Sequence, residues 1–153
     1  MSELFSEPDI GVIARHIDEW LAVYQRNHDA VVDARRDPEA PRRWFIRMHG
    51  EEKEFTTIWL TLGQRTLRYE TYVMPAPEEN AEQLYEQALR RNAKLTGAHF
   101  SIGVEDALFL RGELPLSVLG ENEIDRVIGT LFAAVETHFP VLMRIGFASH
   151  FAE

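Results

Sequence analysis

The sequence predicts an α+β fold in which an antiparallel sheet carries helices mainly on one face. Three observations lead to this prediction: apolar residues recur at helical spacing in three segments, they alternate with polar residues in shorter segments, and turn residues separate those shorter segments. The predicted order of elements is α-β-β-β-α-β-β-α. The 153 residues fit a single domain spanning 1–153, in which we expect 1–5 to be a flexible tail.

The first helix is predicted to begin just after Ser6. Ser6 can cap it, Pro8 sits where a missing N–H costs little, and Asp9 completes a capping-box spacing. Apolar residues then recur at helical intervals, and we expect the helix to end near His28. The segment 33–43 is polar and contains prolines, so it is predicted to be a loop.

Three strands follow in the prediction, at Arg43–His49, Phe55–Leu62 and Leu67–Met74. Each has a short turn before the next, the second turn being 63–66. Two prolines then end the third strand, because proline cannot donate a hydrogen bond to a ladder.

A second helix and a second hairpin are predicted next. Asn80 is the expected cap of the helix, and Gly97 fits its C-terminus or the turn just after it. The hairpin pairs 98–104 with 107–114, so the sheet is expected to contain five strands.

A third helix is predicted to start at Asn122. Apolar residues line one side of it as far as Phe139. We expect the helix to end or kink at Pro140, because a proline ring clashes with the carbonyl group four residues back.

The ribbon formed by the second and third strands has apolar residues on both faces. An even turn places Leu62 opposite Leu67, Leu60 opposite Tyr69 and Ile58 opposite Thr71, and side chains alternate between faces with period two. One face is a core face made of Ile58, Leu60, Leu62, Leu67, Tyr69 and Val73. The second face carries Thr57, Trp59, Thr61, Arg68, Glu70, Tyr72 and Met74. If the turn after His49 is also even, Trp44, Ile46, Met48 and Phe55 join this second face.

Three explanations for the second face stay open at this point. Another element of the chain covers it, or a second copy covers it in a dimer, or it is a partly open binding surface for a segment of another protein. A sheet face left to water normally reads as polar, and this one does not. Aromatic residues, Met and Arg are enriched at interfaces, and a large exposed apolar patch usually marks an interaction site. The candidate binding residues are Trp44, Trp59, Arg68, Glu70, Tyr72 and Met74.

Motifs for catalysis are missing from the sequence. There is no cysteine, which excludes disulfides and thiolate zinc sites, and the six histidines show no compact ligand spacing. We find no phosphate-binding glycine loop and no nucleophile elbow. We therefore expect no catalytic residue, no metal and no cofactor. The alternative is a small-molecule sensor or enzyme that uses a polar pocket around Arg65, Arg68 and Glu70.

The net charge of −9 argues against a nucleic-acid partner, because duplex-binding domains usually show a basic patch. The sequence contains no run of about 18 apolar residues, so we expect no membrane span. The opening residues MSELFSEPD lack a cationic region and a long apolar run, so a cytoplasmic protein is expected.

Two segments resemble a known family. WLTLGQRTLRYETYVMPAPEEN and LRRNAKLTGAHFSIGVEDALFLRGELPL are similar to the YbjN-domain proteins of actinobacteria, which are described as bacterial sensory transduction regulators. The resemblance covers roughly 44–147. By fold these proteins are grouped with the type III secretion chaperones, and the predicted order of elements matches that fold.

This resemblance implies a binding protein. Secretion chaperones are small, acidic, cytoplasmic and usually dimeric, and they hold an extended segment of an effector without any cofactor. The family has no established catalytic residues to carry over to this chain, and fold kinship alone does not identify a client. We therefore expect a non-enzymatic homodimer that binds a peptide segment of a client protein, as a chaperone or regulatory adaptor.

Overall fold

The structure is a computed structural model, and it describes residues 3–152. Its helices are α1 (Glu7–Asn27), α2 (Ala81–Asn92) and α3 (Glu121–Gly146). Its strands are β1 (Val31–Arg36), β2 (Arg43–His49), β3 (Phe55–Leu62), β4 (Thr66–Met74), β5 (His99–Ile102) and β6 (Leu108–Pro115). The α+β class is confirmed, and the order of elements is α-β-β-β-β-α-β-β-α.

Within the described residues, the six strands form one antiparallel sheet in the order β1-β2-β3-β4-β6-β5. Helix α1 packs on β1, α3 packs on β3 and β4, and α2 packs on β5 and α3. We call the sheet face that the helices cover the inner face, and the opposite one the outer face. The prediction of helices mainly on one face is confirmed.

Strand β1 is the element that sequence reasoning missed. It occupies Val31–Arg36, part of which was predicted to be loop. It is an edge strand that bears charges, and such strands read as polar in sequence because their outer groups face water. A bulge between Val31 and Asp33 further disturbs the alternation.

The predicted register of the β3–β4 ribbon is confirmed. Leu62 pairs with Leu67, and the same register continues to the pair of Ile58 and Thr71. All six residues of the predicted core face are buried, namely Ile58, Leu60, Leu62, Leu67, Tyr69 and Val73. They pack with the apolar stripes of the helices into one hydrophobic core.

The predicted orientation of β2 is wrong. His49 pairs with Phe55, so the connection 50–54 has five residues and not an even number. Because side chains alternate along a strand, this odd count places Trp44, Ile46 and Met48 on the inner face. All three are buried, and the Trp44 side chain has no solvent exposure. Its indole Nε1 donates to Asp18 Oδ1 on α1 at 2.7 Å.

Helix α3 holds the 50–54 turn in place. The Gly50 N–H donates to the Glu54 carbonyl oxygen at 3.0 Å, and the Glu52 N–H donates to Glu136 Oε2 at 2.7 Å. A Cβ on Gly50 would lie 1.8 Å from Glu136 Oε1 and 2.5 Å from the Lys53 carbonyl oxygen. Only glycine therefore fits beneath the carboxylate that anchors this turn.

Met74 is also on the inner side, although alternation predicts the second face for it. The pairing of β4 with β6 shifts between Tyr72 and Met74, and such a bulge breaks the alternation of side chains. Val73 and Met74 are both fully buried as a result. The Met74 side chain lies beneath Gly146 of α3.

The start of α1 follows the prediction. Ser6 is its cap, and the Asp9 N–H donates to Ser6 Oγ at 3.4 Å. The predicted end near His28 is confirmed. Residues 1 and 2 of the expected tail lie outside the described residues, while the Phe5 N–H donates to the Gln64 carbonyl oxygen at 2.7 Å.

The other helix ends depart from expectation. Asn80 precedes α2 but is left-handed, and its side chain donates to the Ile145 carbonyl oxygen instead of capping the helix. Helix α3 continues through Pro140 to Gly146, so of the two predicted outcomes, an end or a kink at Pro140, the end is wrong. A proline inside a helix costs about 3 kcal/mol. Apolar residues beyond Pro140, including Leu142, are buried. Burying each such side chain stabilises the fold by roughly 1.5–3 kcal/mol, which offsets the cost of the proline.

Candidate binding surface on the outer face of the sheet

The outer face presents aromatic and charged side chains from all six strands. The register aligns one row as Arg35, Phe45, Trp59, Glu70, Arg111 and His99. A neighbouring row is Arg43, Thr61, Arg68 and Glu113. Among residues 3–152, no helix packs on these rows, because α1, α2 and α3 all lie on the inner side.

Three arginines of β1 and β2 stack on aromatic rings of this face. The Arg43 guanidinium carbon lies 3.9 Å from the Trp59 ring centre, and that of Arg47 lies 4.1 Å from the Phe55 ring centre. Arg35 lies 5.3 Å from the ring centre of Phe45. Each such cation–π contact contributes about 0.5–1 kcal/mol at an exposed site. The rings also contact each other, with 5.6 Å between the centres of Phe45 and Trp59.

A second group of rings lies between β4 and β6. Tyr72 and Phe109 form an edge-to-face pair with 5.7 Å between ring centres, and the Arg111 guanidinium lies 4.5 Å from the Phe109 ring centre. Tyr72 is 41% exposed. Burial and the nearby Glu105 raise the pKa of the Tyr72 hydroxyl, so it stays protonated at neutral pH.

Lys53 lies beside Tyr72, at one end of the pair of rings formed by Tyr72 and Phe109. Its Nζ donates to the Tyr72 carbonyl oxygen at 2.8 Å and lies 4.9 Å from the Tyr72 ring centre. Burial lowers the pKa of Lys53 to about 8, so most of the amine still carries its charge at neutral pH.

The polar residues of the face pair across strands. Arg68 and Glu70 are two residues apart on β4, and Arg111 and Glu113 are two residues apart on β6, so the members of each pair share a face. In the structure, Arg111 Nε lies 2.7 Å from Glu70 Oε2, and Arg68 Nε lies 3.6 Å from Glu113 Oε2. Ion pairs this exposed are worth about 1 kcal/mol or less, so they orient the side chains more than they stabilise the fold.

The outer face is cationic although the protein is acidic. Five arginines lie on it, namely Arg35, Arg43, Arg47, Arg68 and Arg111, against three carboxylates, Asp33, Glu70 and Glu113. Every one of the three carboxylates already pairs with an arginine of the same face. Within residues 3–152, Arg43, Arg47 and Lys53 form no ion pair with a carboxylate. The positive charge of this face contrasts with the net charge of −9 for the whole chain.

The polar residues of the alternative pocket lie in two shallow, open depressions. One of about 660 Å³ is lined by Arg68 and Glu70, with Arg111 and Glu113 beside them. Arg65 lies in a neighbouring depression of about 460 Å³ that Arg68 also lines. The charged groups of the larger depression neutralise each other, which leaves little to bind a charged small molecule. A small-molecule site stays a prediction that no feature of this lining favours over peptide binding.

The structure brings together four of the six predicted site residues. Trp59, Arg68, Glu70 and Tyr72 lie on the outer face, while Trp44 and Met74 belong to the core. Residues of the face that sequence reasoning did not consider as binding residues include Arg43, Phe45, Arg47 and Phe109. The alternation of Arg43, Phe45 and Arg47 along β2 was the available signal, but the assumed even turn assigned them to the core side.

An apolar patch also lies at the β5 edge of the sheet. Leu89, Ile102 and Val104 are 69%, 51% and 72% exposed. A groove of about 220 Å³ runs between α2 and β5, lined by Tyr85, Ala88, Leu89, Phe100, Ser101, Ile102 and Leu108. We call these residues with Val104 the α2–β5 patch. Strand β5 has only four residues and lies at one end of the sheet, so the edge of β5 opposite β6 has no neighbouring strand within the described chain.

Residues 3–152 contain neither a metal-binding cluster nor a membrane-spanning helix. No group of three or more His, Asp or Glu side chains in that range is placed to hold a metal ion. None of the helices there combines the length and the apolar character that crossing a bilayer requires.

Two solved structures that share this fold are complexes of two proteins. A chain of the ExsC–ExsE complex superposes with a TM-score of 0.60 at 14% identity, covering 84% of this chain and 95% of the other. A chain of the heterodimeric ExoU–SpcU complex from the type III secretion system of Pseudomonas aeruginosa gives a TM-score of 0.53 at 15% identity, covering 82% and 96%. At these identities the similarity shows the fold, and it confirms the type III secretion chaperone-like fold implied by the resemblance.

Sequence relatives come from mycobacteria. The uncharacterized protein Rv0487 of Mycobacterium tuberculosis (strain ATCC 25618 / H37Rv) is 33% identical over 110 residues, which are 72% of this chain. The uncharacterized protein ML2442 of Mycobacterium leprae (strain TN) is 31% identical over 112 residues, which are 73% of this chain. The aligned regions span 60% and 61% of the length of these relatives.

The family assignment rests on the largest match. The sequence model of the YbjN family, described as "Putative bacterial sensory transduction regulator", matches residues 16–144. That range contains most of α1, all six strands, α2 and nearly all of α3. The chain belongs to the YbjN family.

Proposed function

We propose that this protein is a non-enzymatic binding module that holds an extended segment of a client protein, as a chaperone or regulatory adaptor. The observation that carries the proposal is the outer face, where aromatic rings stay partly exposed and no helix of residues 3–152 covers them. An apolar surface of this kind on a folded protein usually marks an interaction site. The similarity to chains solved as protein–protein complexes supports a protein as the partner.

The mechanism follows from the placement of the side chains. Trp59 and Tyr72 supply apolar contact area, while Arg68 and Glu70 at the neighbouring positions set the polar register of the client. Trp44 and Met74 are buried in the core, so they do not contact the client and contribute only by packing against the strands that carry this surface. An extended client has side chains that alternate like those of a strand, so every second residue can reach the face.

The α2–β5 patch supports the homodimer. It combines exposed apolar side chains with an open strand edge, and both are normally covered in folded proteins. A second copy is the occupant that we propose for it, which leaves the outer faces of both protomers open to clients. Like the secretion chaperones that the family resembles, the dimer would act in the cytoplasm.

The dimer is tested by the mass of the particle in solution. We expect light scattering after size exclusion to give about twice the chain mass of 17.7 kDa. Replacing Leu89 with Glu puts a charge into the patch at a side chain that is 69% exposed, so the folded monomer should survive while the dimer dissociates. Val12→Glu on α1, also exposed, is the matched control and should stay dimeric. A monomeric wild type, or a dimeric Leu89→Glu variant, would contradict the proposed interface.

Client binding is tested by selecting phage-displayed random peptides of twelve residues on the immobilised protein. We expect enriched peptides whose binding falls at least tenfold in Trp59→Ser and in Tyr72→Ser, because each variant removes a partly exposed ring from the surface. Phe151→Ser removes an exposed ring away from the sheet and should bind normally. Circular dichroism establishes that each variant is folded. If no peptide is enriched, or if the enriched peptides bind Trp59→Ser as well as wild type, the proposed function is wrong.

A further inference from the structure

Two arginines of β2 are held in position without a carboxylate partner. Arg43 stacks on Trp59 and Arg47 stacks on Phe55, and neither forms an ion pair within residues 3–152. A guanidinium stacked on a ring keeps its N–H groups in its own plane, where they can donate to a carboxylate in a bidentate manner. The rings therefore orient two unsatisfied anion-binding groups toward the solvent side of the sheet.

The spacing of these arginines matches an extended partner. Arg43, Phe45 and Arg47 alternate with inner-face residues of β2, so they follow one another at about 6.6–6.8 Å on one side of the strand. An extended peptide laid nearly parallel to β2 repeats its side chains at the same interval, as stacked sheets do. A helix would need carboxylates about eight residues apart to span the same distance, and only an extended segment also places a side chain midway, opposite Phe45, at the strand interval.

We propose that the client segment is acidic and extended, with two carboxylates four residues apart and an apolar residue midway between them. The carboxylates pair with Arg43 and Arg47, and the apolar side chain packs on Phe45 and Trp59. This inference rests on the proposed function and names the chemistry of its client. Lys53 adds a further cation at the Tyr72 end of the same surface.

Charge complementarity favours a peptide over a nucleic acid here. A guanidinium group already lies over one face of Trp59 and of Phe55, so these rings offer less open surface for base stacking than for an aliphatic side chain at the ring edge. Asp33, Glu70 and Glu113 on the same face would repel a continuous phosphate backbone. Asp33, the cross-strand neighbour of Arg47, is already paired with Arg35, so a segment with isolated carboxylates can still pair with Arg43 and Arg47.

The test uses a defined probe, the fluorescein-labelled peptide Gly-Ser-Glu-Thr-Leu-Thr-Glu-Gly-Ser-Gly, measured by anisotropy at low ionic strength. The control peptide has the same sequence with both Glu residues replaced by Gln. We expect the acidic peptide to bind wild-type protein at least fivefold more tightly than the Gln peptide, and the preference to shrink as salt is added. Arg43→Gln together with Arg47→Gln should remove the preference. Arg90→Gln, at an arginine paired with Glu86 on α2, is the matched control and should keep it.

The outcomes separate this inference from the proposed function. If selected peptides bind through Trp59 but show no acidic excess, and the Gln probe binds as well as the Glu probe, the acidic client is wrong and the peptide-binding function stands. If no peptide binds, both are wrong. Tight binding of a single-stranded twelve-nucleotide DNA that the double arginine variant loses would overturn the acidic client in favour of a nucleic acid. The monomeric Leu89→Glu variant should keep the preference for the Glu probe, and its loss there would contradict a site formed by the outer face of one protomer.

Discussion

Replacing Trp44 with alanine is expected to lower the free energy of unfolding by about 3–5 kcal/mol, the usual cost of truncating a buried aromatic side chain. The indole has no solvent exposure, and its Nε1 donates to Asp18 on α1 at 2.7 Å. Truncation would leave a cavity beneath α1 and remove a hydrogen bond between helix and sheet. Urea unfolding followed by far-ultraviolet circular dichroism measures the loss.

Trp59→Ala is the matched comparison, because the same residue type lies on the opposite face of the neighbouring strand. Its ring is partly exposed and contacts Phe45 and Arg43, so we expect a cost of only about 1–2 kcal/mol. Trp44→Phe should fall between the two variants, since it retains most of the packing and loses the hydrogen bond. Equal costs for the two alanine variants would contradict the placement of β2 with Trp44 inward.

Replacing Gly112 with alanine is expected to cost about 3 kcal/mol, at the upper end for overpacking. A Cβ at this position would lie 2.3 Å from the Gly97 carbonyl oxygen and 2.6 Å from Cε1 of Tyr69. Neither neighbour can move freely, because the Tyr69 hydroxyl donates to that same carbonyl group and its ring is buried. The missing side chain is what lets the tyrosine ring cross β6 and tie the sheet to the loop after α2.

Gly129→Ala is the control for this substitution. Gly129 lies inside α3, and nothing is within 4 Å of a Cβ placed there. Alanine is the better helix former, so this variant should be more stable than wild type by about 0.5–1 kcal/mol. The same change of side chain thus has opposite expected signs at two sites, and a Gly112→Ala variant as stable as wild type would refute the packing described for Tyr69.

Local patterns were sufficient for much of the fold. Alternation and an even turn correctly predicted the β3–β4 register, and the capping pattern at Ser6 correctly predicted the start of α1. These features depend on residues close together in the chain. Strand β1 was missed although it pairs with the next strand along the chain, because its residues are polar enough to read as a loop and a bulge interrupts its alternation.

The candidate surface was predicted only in part, because the face of each strand depends on whether the preceding turn has an odd or an even number of residues. Trp59 and Tyr72 were placed correctly, since their face depends on the 63–66 turn alone. Trp44 was placed wrongly, because its face depends on whether 50–54 counts as odd or even, and sequence alone does not show this. The stacked pairs of Arg43 and Arg47 could not be found until that count was known.

The five-residue turn at 50–54 has a consequence for how this family can diverge. Most surface loops gain or lose a residue without altering what their flanking segments present to the outside. Here one inserted or deleted residue would exchange the two sides of β2, bringing guanidinium groups into the hydrophobic interior and indole and thioether groups out into water. Selection should therefore tolerate length changes of two residues in this turn far more readily than changes of one.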